Sequence, residues 1–84
     1  MVQLLNVRNF HSNKQNKDYS VLGVLRDVTP REKQFGLIGT TTYQEVFLPD
    51  NLVGKFNESH IGKDLDLQYT VVDGKAYLEN VVVK

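Results

Sequence analysis

The stretch Leu48-Pro49-Asp50-Asn51-Leu52-Val53-Gly54-Lys55-Phe56-Asn57-Glu58-Ser59 decides how the rest of the chain is read. It interrupts a sequence that otherwise has strand character. Pro is tolerated in the first turn of a helix, and Asp or Asn can cap one. Leu52, Val53 and Phe56 fall at helical spacing, and Gly62 supplies a stop. The segment Pro49–Ser59 therefore predicts a short helix, kept to two or three turns by Gly54 and Asn57.

On either side the pattern is extended. Downstream, Leu65, Leu67, Tyr69 and Val71 alternate with Asp66, Gln68 and Thr70, the period of a half-buried strand. Asp73-Gly74 predicts a two-residue hairpin, and Ala76–Val83 is the returning strand. Upstream, Phe35–Leu48 reads as one long extended stretch in which Gly36 and Gly39 allow strong coiling. Before it, Thr29–Gln34 reads as a turn in which Pro30 stops the ladder. Tyr19–Val28 is a strand with a bend or bulge at Gly23. His11–Asp18 is uniformly polar and reads as an exposed loop, and Val2–Phe10 is a first strand with imperfect alternation. Five strands with one short helix between strands 3 and 4 is the plan of an all-β, OB-fold-like Greek-key barrel. An SH3-like barrel is the alternative; it usually lacks that helix.

Eighty-four residues form one domain, spanning residues 1–84, with a single small core. No apolar run approaches the length of a membrane span, and the first residues lack the ordered regions of an export signal. There is no Cys, hence no disulfide, thiolate metal site or catalytic thiol. These features predict a cytoplasmic protein. Ten basic and ten acidic residues cancel. Their distribution is uneven: residues 1–35 hold six basic and three acidic side chains, residues 36–84 four and seven. A neutral total can thus conceal a basic face.

Catalytic chemistry finds little support in the residues. His11 and His60 are distant and have no companions at ligand spacing, so neither a metal nor a cofactor is expected. Gly36-Leu37-Ile38-Gly39 lacks the Lys of a phosphate loop. The chain is read as a non-enzyme.

Binding is better supported. In OB-folds the working face is strands 2 and 3 with their loops. That region carries Arg8, Lys14, Lys17, Tyr19, Arg26, Arg31, Lys33, Phe35 and Tyr43. Lys and Arg neutralise phosphates, and aromatic faces stack on bases of any sequence. These nine residues are the predicted site for single-stranded DNA or RNA. Tyr19 and Phe35 can serve only if they are exposed rather than core. The alternative function is a small protein-interaction or structural module, favoured if the surface carries an exposed apolar patch ringed by acids.

Two stretches also carry a resemblance. Asn16-Lys17-Asp18-Tyr19-Ser20 and the ending Gly74-Lys75-Ala76-Tyr77-Leu78-Glu79-Asn80-Val81-Val82-Val83-Lys84 resemble the small single-stranded DNA-binding proteins of filamentous phages and related mobile elements. The resemblance implies an OB-type homodimer in which a basic residue and a Tyr near the start of the second strand contact DNA. Lys17 and Tyr19 occupy those positions.

Overall fold

Val2 to Ser12 and Lys17 to Asp27 form a long antiparallel hairpin, β1 and β2, closed by the polar turn Asn13–Asn16. The chain is described over residues 1–84 by a computed structural model. After β2 come α1 (Pro30–Gln34), β3 (Thr41–Phe47), β4 (Leu65–Val72) and β5 (Lys75–Val83). Two antiparallel sheets result, one in the order β1-β2-β3 and the other the β4–β5 hairpin. The protein is mostly β, with five strands and one short α-helix.

That helix does not lie where the sequence predicts it. Between β3 and β4 there are only two single 3₁₀ turns, Asp50–Leu52 and Glu58–His60. Val53 is extended at ψ 131° and Gly54 lies at φ +77°, so the helical path breaks after one turn. The spacing of Leu52 and Phe56 reflects their common burial rather than a helix: both join the core with Leu48. The α-helix stands instead between β2 and β3, at the segment read as a turn. Thr29 caps it: the Glu32 amide donates to Thr29 Oγ1 at 3.2 Å, and the Thr29 amide donates to Glu32 Oε1 at 3.0 Å. Thr-Pro-Arg-Glu is thus a capping box with Pro at the first helical position. Its end, at Phe35, begins a loop through Gly36 (φ +97°) and Gly39 (φ +127°), so β3 is shorter than the extended stretch predicted over Phe35–Leu48.

The uneven alternation of the first strand has a structural cause. The β1–β2 register shifts between Leu4 and Asn6, leaving Leu5 as an extra residue opposite Gly23 and Val24. A bulge restores the facing pattern, so Leu4 and Val7, three residues apart, both pack on the core. The same happens in β5. Glu79 is extra, and Leu78 and Val81 both face inward. The Asp73-Gly74 turn is as expected, with φ of +51° and +77° at its two residues.

The core is Leu4, Leu22, Val24, Val46, Leu48, Leu52, Phe56, Leu65 and Val81. Every strand and the β3–β4 connection contribute. Removing each of these side chains from water is worth about 1.5–3 kcal/mol. Ser20 is the buried polar exception. Its hydroxyl accepts the Gly54 amide at 3.0 Å and donates to Asn9, tying the β3–β4 connection to β2.

The sheets meet along β1 and the start of β4. The Leu4 amide donates to Lys63 O at 3.0 Å, the Gly62 amide to Leu4 O at 2.7 Å, and Gln3 bridges Asp64. No pairing joins β3 to β5, so the ladder does not run round the molecule. On that flank a cavity of about 460 Å³ opens among Val2, Arg26, Gln44, Leu67 and Tyr69.

Candidate nucleic-acid interface

Residues directly opposite in an antiparallel ladder share a face, so the register shows which side chains lie together. Leu4, Leu22, Val24 and Val46 take one face of β1-β2-β3 into the core. The other face points away from it. There Phe10 lies opposite Tyr19, Arg8 opposite Val21 and Val21 opposite Phe47, Asn6 opposite Gly23 and Gly23 opposite Glu45, and Leu25 opposite Tyr43. Four aromatic rings therefore share one surface: Phe10, Tyr19, Tyr43 and Phe47.

The rings are arranged by their neighbours. Phe10 and Tyr19 stack with centroids 5.4 Å apart and planes 22° from parallel. Arg8 Cζ lies 4.9 Å from the Phe10 centroid and Lys17 Nζ 5.4 Å from that of Tyr19, so each ring carries a cation against its π-system. The Tyr19 hydroxyl also donates to Gln15 of the turn. Tyr43 reaches across the sheet toward Asn6. A Cβ on Gly23 would meet the Tyr43 hydroxyl and come within 2.7 Å of Asn6 Cγ, so a larger residue there would push both side chains aside. Phe47 is 60% exposed and Tyr43 49%. Between the Phe10–Tyr19 pair and the backbone at Val53–Gly54 is an open cleft of about 420 Å³.

Both cations of this face have acidic partners. Lys17 Nζ is 2.7 Å from Asp50 Oδ1, and that hydrogen bond raises the Lys17 pKa above its ordinary value. Arg8 Nη2 is 3.5 Å from Glu45 Oε2. Asp50 sits where the chain runs on from β3 alongside the start of β2. Lys14, in the exposed turn, makes no ion pair.

The nine predicted site residues thus divide. Arg8, Lys17, Tyr19 and Tyr43 come together on the outer face, with Lys14 at its end. Arg26 is on the opposite face, where it grips Glu32 through two bonds of 2.7 and 2.9 Å and also donates to Gln44. This pairing, together with the Thr29 amide, lowers the Glu32 pKa to about 2. Arg31, Lys33 and Phe35 belong to α1 and its end, beyond Asp27. Asp27 lies eight residues along β2 from Tyr19, about 26 Å at strand rise. Phe35 is 80% exposed, with Arg31 Cζ 5.8 Å from its centroid.

Phe10 and Phe47 were not predicted as site residues. Phe47 had a readable signal, since Val46 and Leu48 on either side of it are buried and a strand alternates. Phe10 had none without the register. The histidines are locally engaged, and His11 also lines the cleft beside Phe10 and Tyr19. His11, on β1 rather than in a loop, has Nδ1 2.7 Å from Asp18 Oδ1, and His60 Nδ1 accepts the Asn57 amide at 3.1 Å.

No family model matches the chain, and no curated protein or solved structure shows significant similarity to it.

Proposed function

We propose that this protein binds single-stranded nucleic acid, DNA first, without catalysing a reaction on it. The observation that carries the reading is the set of four rings on one sheet face, Tyr43 and Phe47 exposed and the cation-backed Phe10 and Tyr19 half-buried. Stacking on such rings requires unpaired bases and tolerates any sequence. The bridge from β1 to the start of β4 supports a partly open OB-type barrel, whose second and third strands and first loop bear the ligand, although the helix that would set that plan apart from an SH3-like barrel is absent between β3 and β4. The resemblance to filamentous-phage and mobile-element single-stranded DNA-binding proteins belongs to the same proposal, and its two marked positions, Lys17 and Tyr19, are neighbours on this face. No helix is long and apolar enough to cross a membrane. The proposal puts the protein in the cytoplasm, where single strands arise during DNA copying.

The test is a titration of labelled oligo-dT at several salt concentrations. Tyr19→Ala is expected to lose about 1–3 kcal/mol of affinity with the salt slope unchanged, because stacking releases no counterions. Absence of binding by the wild type at low salt would overturn the reading.

A second copy of the chain is the protein partner in this proposal. At the far end of β4–β5, Tyr69, Val71, Val72 and Tyr77 are exposed, Val71 by 71%. A two-fold axis would set this apolar end against its own copy.

A further inference from the structure

The cations of the aromatic face are not free, and their partners lie on the same surface. We propose that Asp50 and Glu45 are internal counter-ions that make this face select unpaired strands over duplex; the inference rests on the single-strand reading above. A duplex offers phosphates but keeps its bases stacked inside. On the sheet face itself it can engage only Lys17 and Arg8, where each phosphate must displace a carboxylate already in place at 2.7 Å or 3.5 Å, while the unpaired Lys14 at the end of the face is open to either ligand. A single strand can instead dock through its bases, stacked on Phe10, Tyr19, Tyr43 and Phe47, while Lys17 and Arg8 keep their carboxylates. The penalty therefore falls mainly on the duplex, which has no other contact to make on the sheet face. Discrimination can be built by weakening the wrong partner as well as by strengthening the right one.

Geometry supports a role beyond surface solubility. Lys17 and Arg8 each hold two contacts at once, an aromatic ring and a carboxylate. Exposed ion pairs of this kind add little to folding stability. Their effect on a ligand is larger in consequence, because phosphate affinity depends on the number of cations released for it. Asp73, at the tip of β4–β5, is outside the face and makes no ion pair.

The experiment compares wild type, Asp50→Asn, Glu45→Gln and Asp73→Asn for binding to oligo-dT and to a blunt duplex of equal length at 50 and 200 mM salt. Asp50→Asn and Glu45→Gln should each tighten oligo-dT binding about two- to fivefold at the lower salt, the range set by an exposed ion pair. Duplex binding should tighten by a larger factor, so the ratio of the two affinities falls. Their salt slopes should steepen by about 0.7 for the single strand and about 0.9 for the duplex. Asp73→Asn removes the same unit charge and should leave the ratio unchanged. If wild type binds oligo-dT but Asp50→Asn and Glu45→Gln change neither ligand, or change both by one factor, or if Asp73→Asn matches them, the counter-ion role is wrong and the single-strand reading stands. If no variant binds any oligonucleotide, both fall together. Matching thermal midpoints for all four proteins show that each comparison is between folded chains.

Discussion

Single side chains here do two kinds of work, holding the turns and shaping the face. Ser20 does the first. Its hydroxyl bonds both the Gly54 amide and Asn9, so Ser20→Ala cuts the tie between β2 and the β3–β4 connection and removes both bonds. The expected loss is about 1–3 kcal/mol, read as a lowered urea midpoint with an unchanged slope. Glu32 adds a pH dependence. Its folded pKa, about 2, lies below the ordinary 4.5, so the unfolded chain takes up the proton first. The stability from the Arg26–Glu32 pair is complete above pH 4.5 and is lost as the pH falls toward 2. Urea midpoints measured across that window should fall more steeply for wild type than for Glu32→Gln; parallel profiles would show that the pair does not form in solution. Tyr19 was legible as a site residue from its position beside Lys17. Arg26 lies seven residues further along the same unbroken strand, an odd spacing that puts it on the opposite face; the bend or bulge expected at Gly23 obscures that parity, and the bulge is in β1 at Leu5 instead.

At the level of elements, turn chemistry was the most readable layer. Asp73-Gly74 needs positive φ at both central positions, and the dipeptide announces it. Gly74→Val should cost about 1–3 kcal/mol by placing a β-branched residue there. A wild-type denaturant midpoint would contradict the observed turn. The helices were misassigned for a physical reason. Leu48, Leu52 and Phe56 recur at four-residue spacing because each reaches the core, which one 3₁₀ turn and an extended linker achieve as well as a helix. The true helix buries no residue and shows no periodicity. It is specified by its cap alone, the Thr29–Glu32 box. Phe56→Ala should cost about 3–5 kcal/mol whichever backbone carries it, because the cavity is what matters.

For the molecule as a whole, the core and the proposed binding surface take opposite faces of one sheet. Only 12 of 84 residues are buried, so one cavity mutation consumes much of the folding free energy. The five strands were legible because strand count and hairpins are local; the expected barrel closure depends on long-range pairing, and β3 and β5 do not pair. Which aromatics share a surface was not, since that depends on register and on the extra residue Leu5. The exposed end of β4–β5 belongs to this scale too. If a second copy covers it, Val71→Asp should shift the sedimenting species to monomer while leaving the fold intact; a wild type already monomeric at high concentration would contradict the dimer.

The most direct test of the stacking face uses the chain's own fluorescence. The protein has four tyrosines and no tryptophan. Tyr19 and Tyr43 lie on the proposed face; Tyr69 and Tyr77 lie on the β4–β5 hairpin. Bases stacked on tyrosine quench its emission, and phenylalanine stacks equally without that signal. Added oligo-dT should quench wild type and the Tyr69→Phe/Tyr77→Phe variant alike. The Tyr19→Phe/Tyr43→Phe variant should bind with near-wild-type affinity and lose the quenching. Quenching that vanishes with Tyr69 and Tyr77 instead, or none in wild type, would contradict the account.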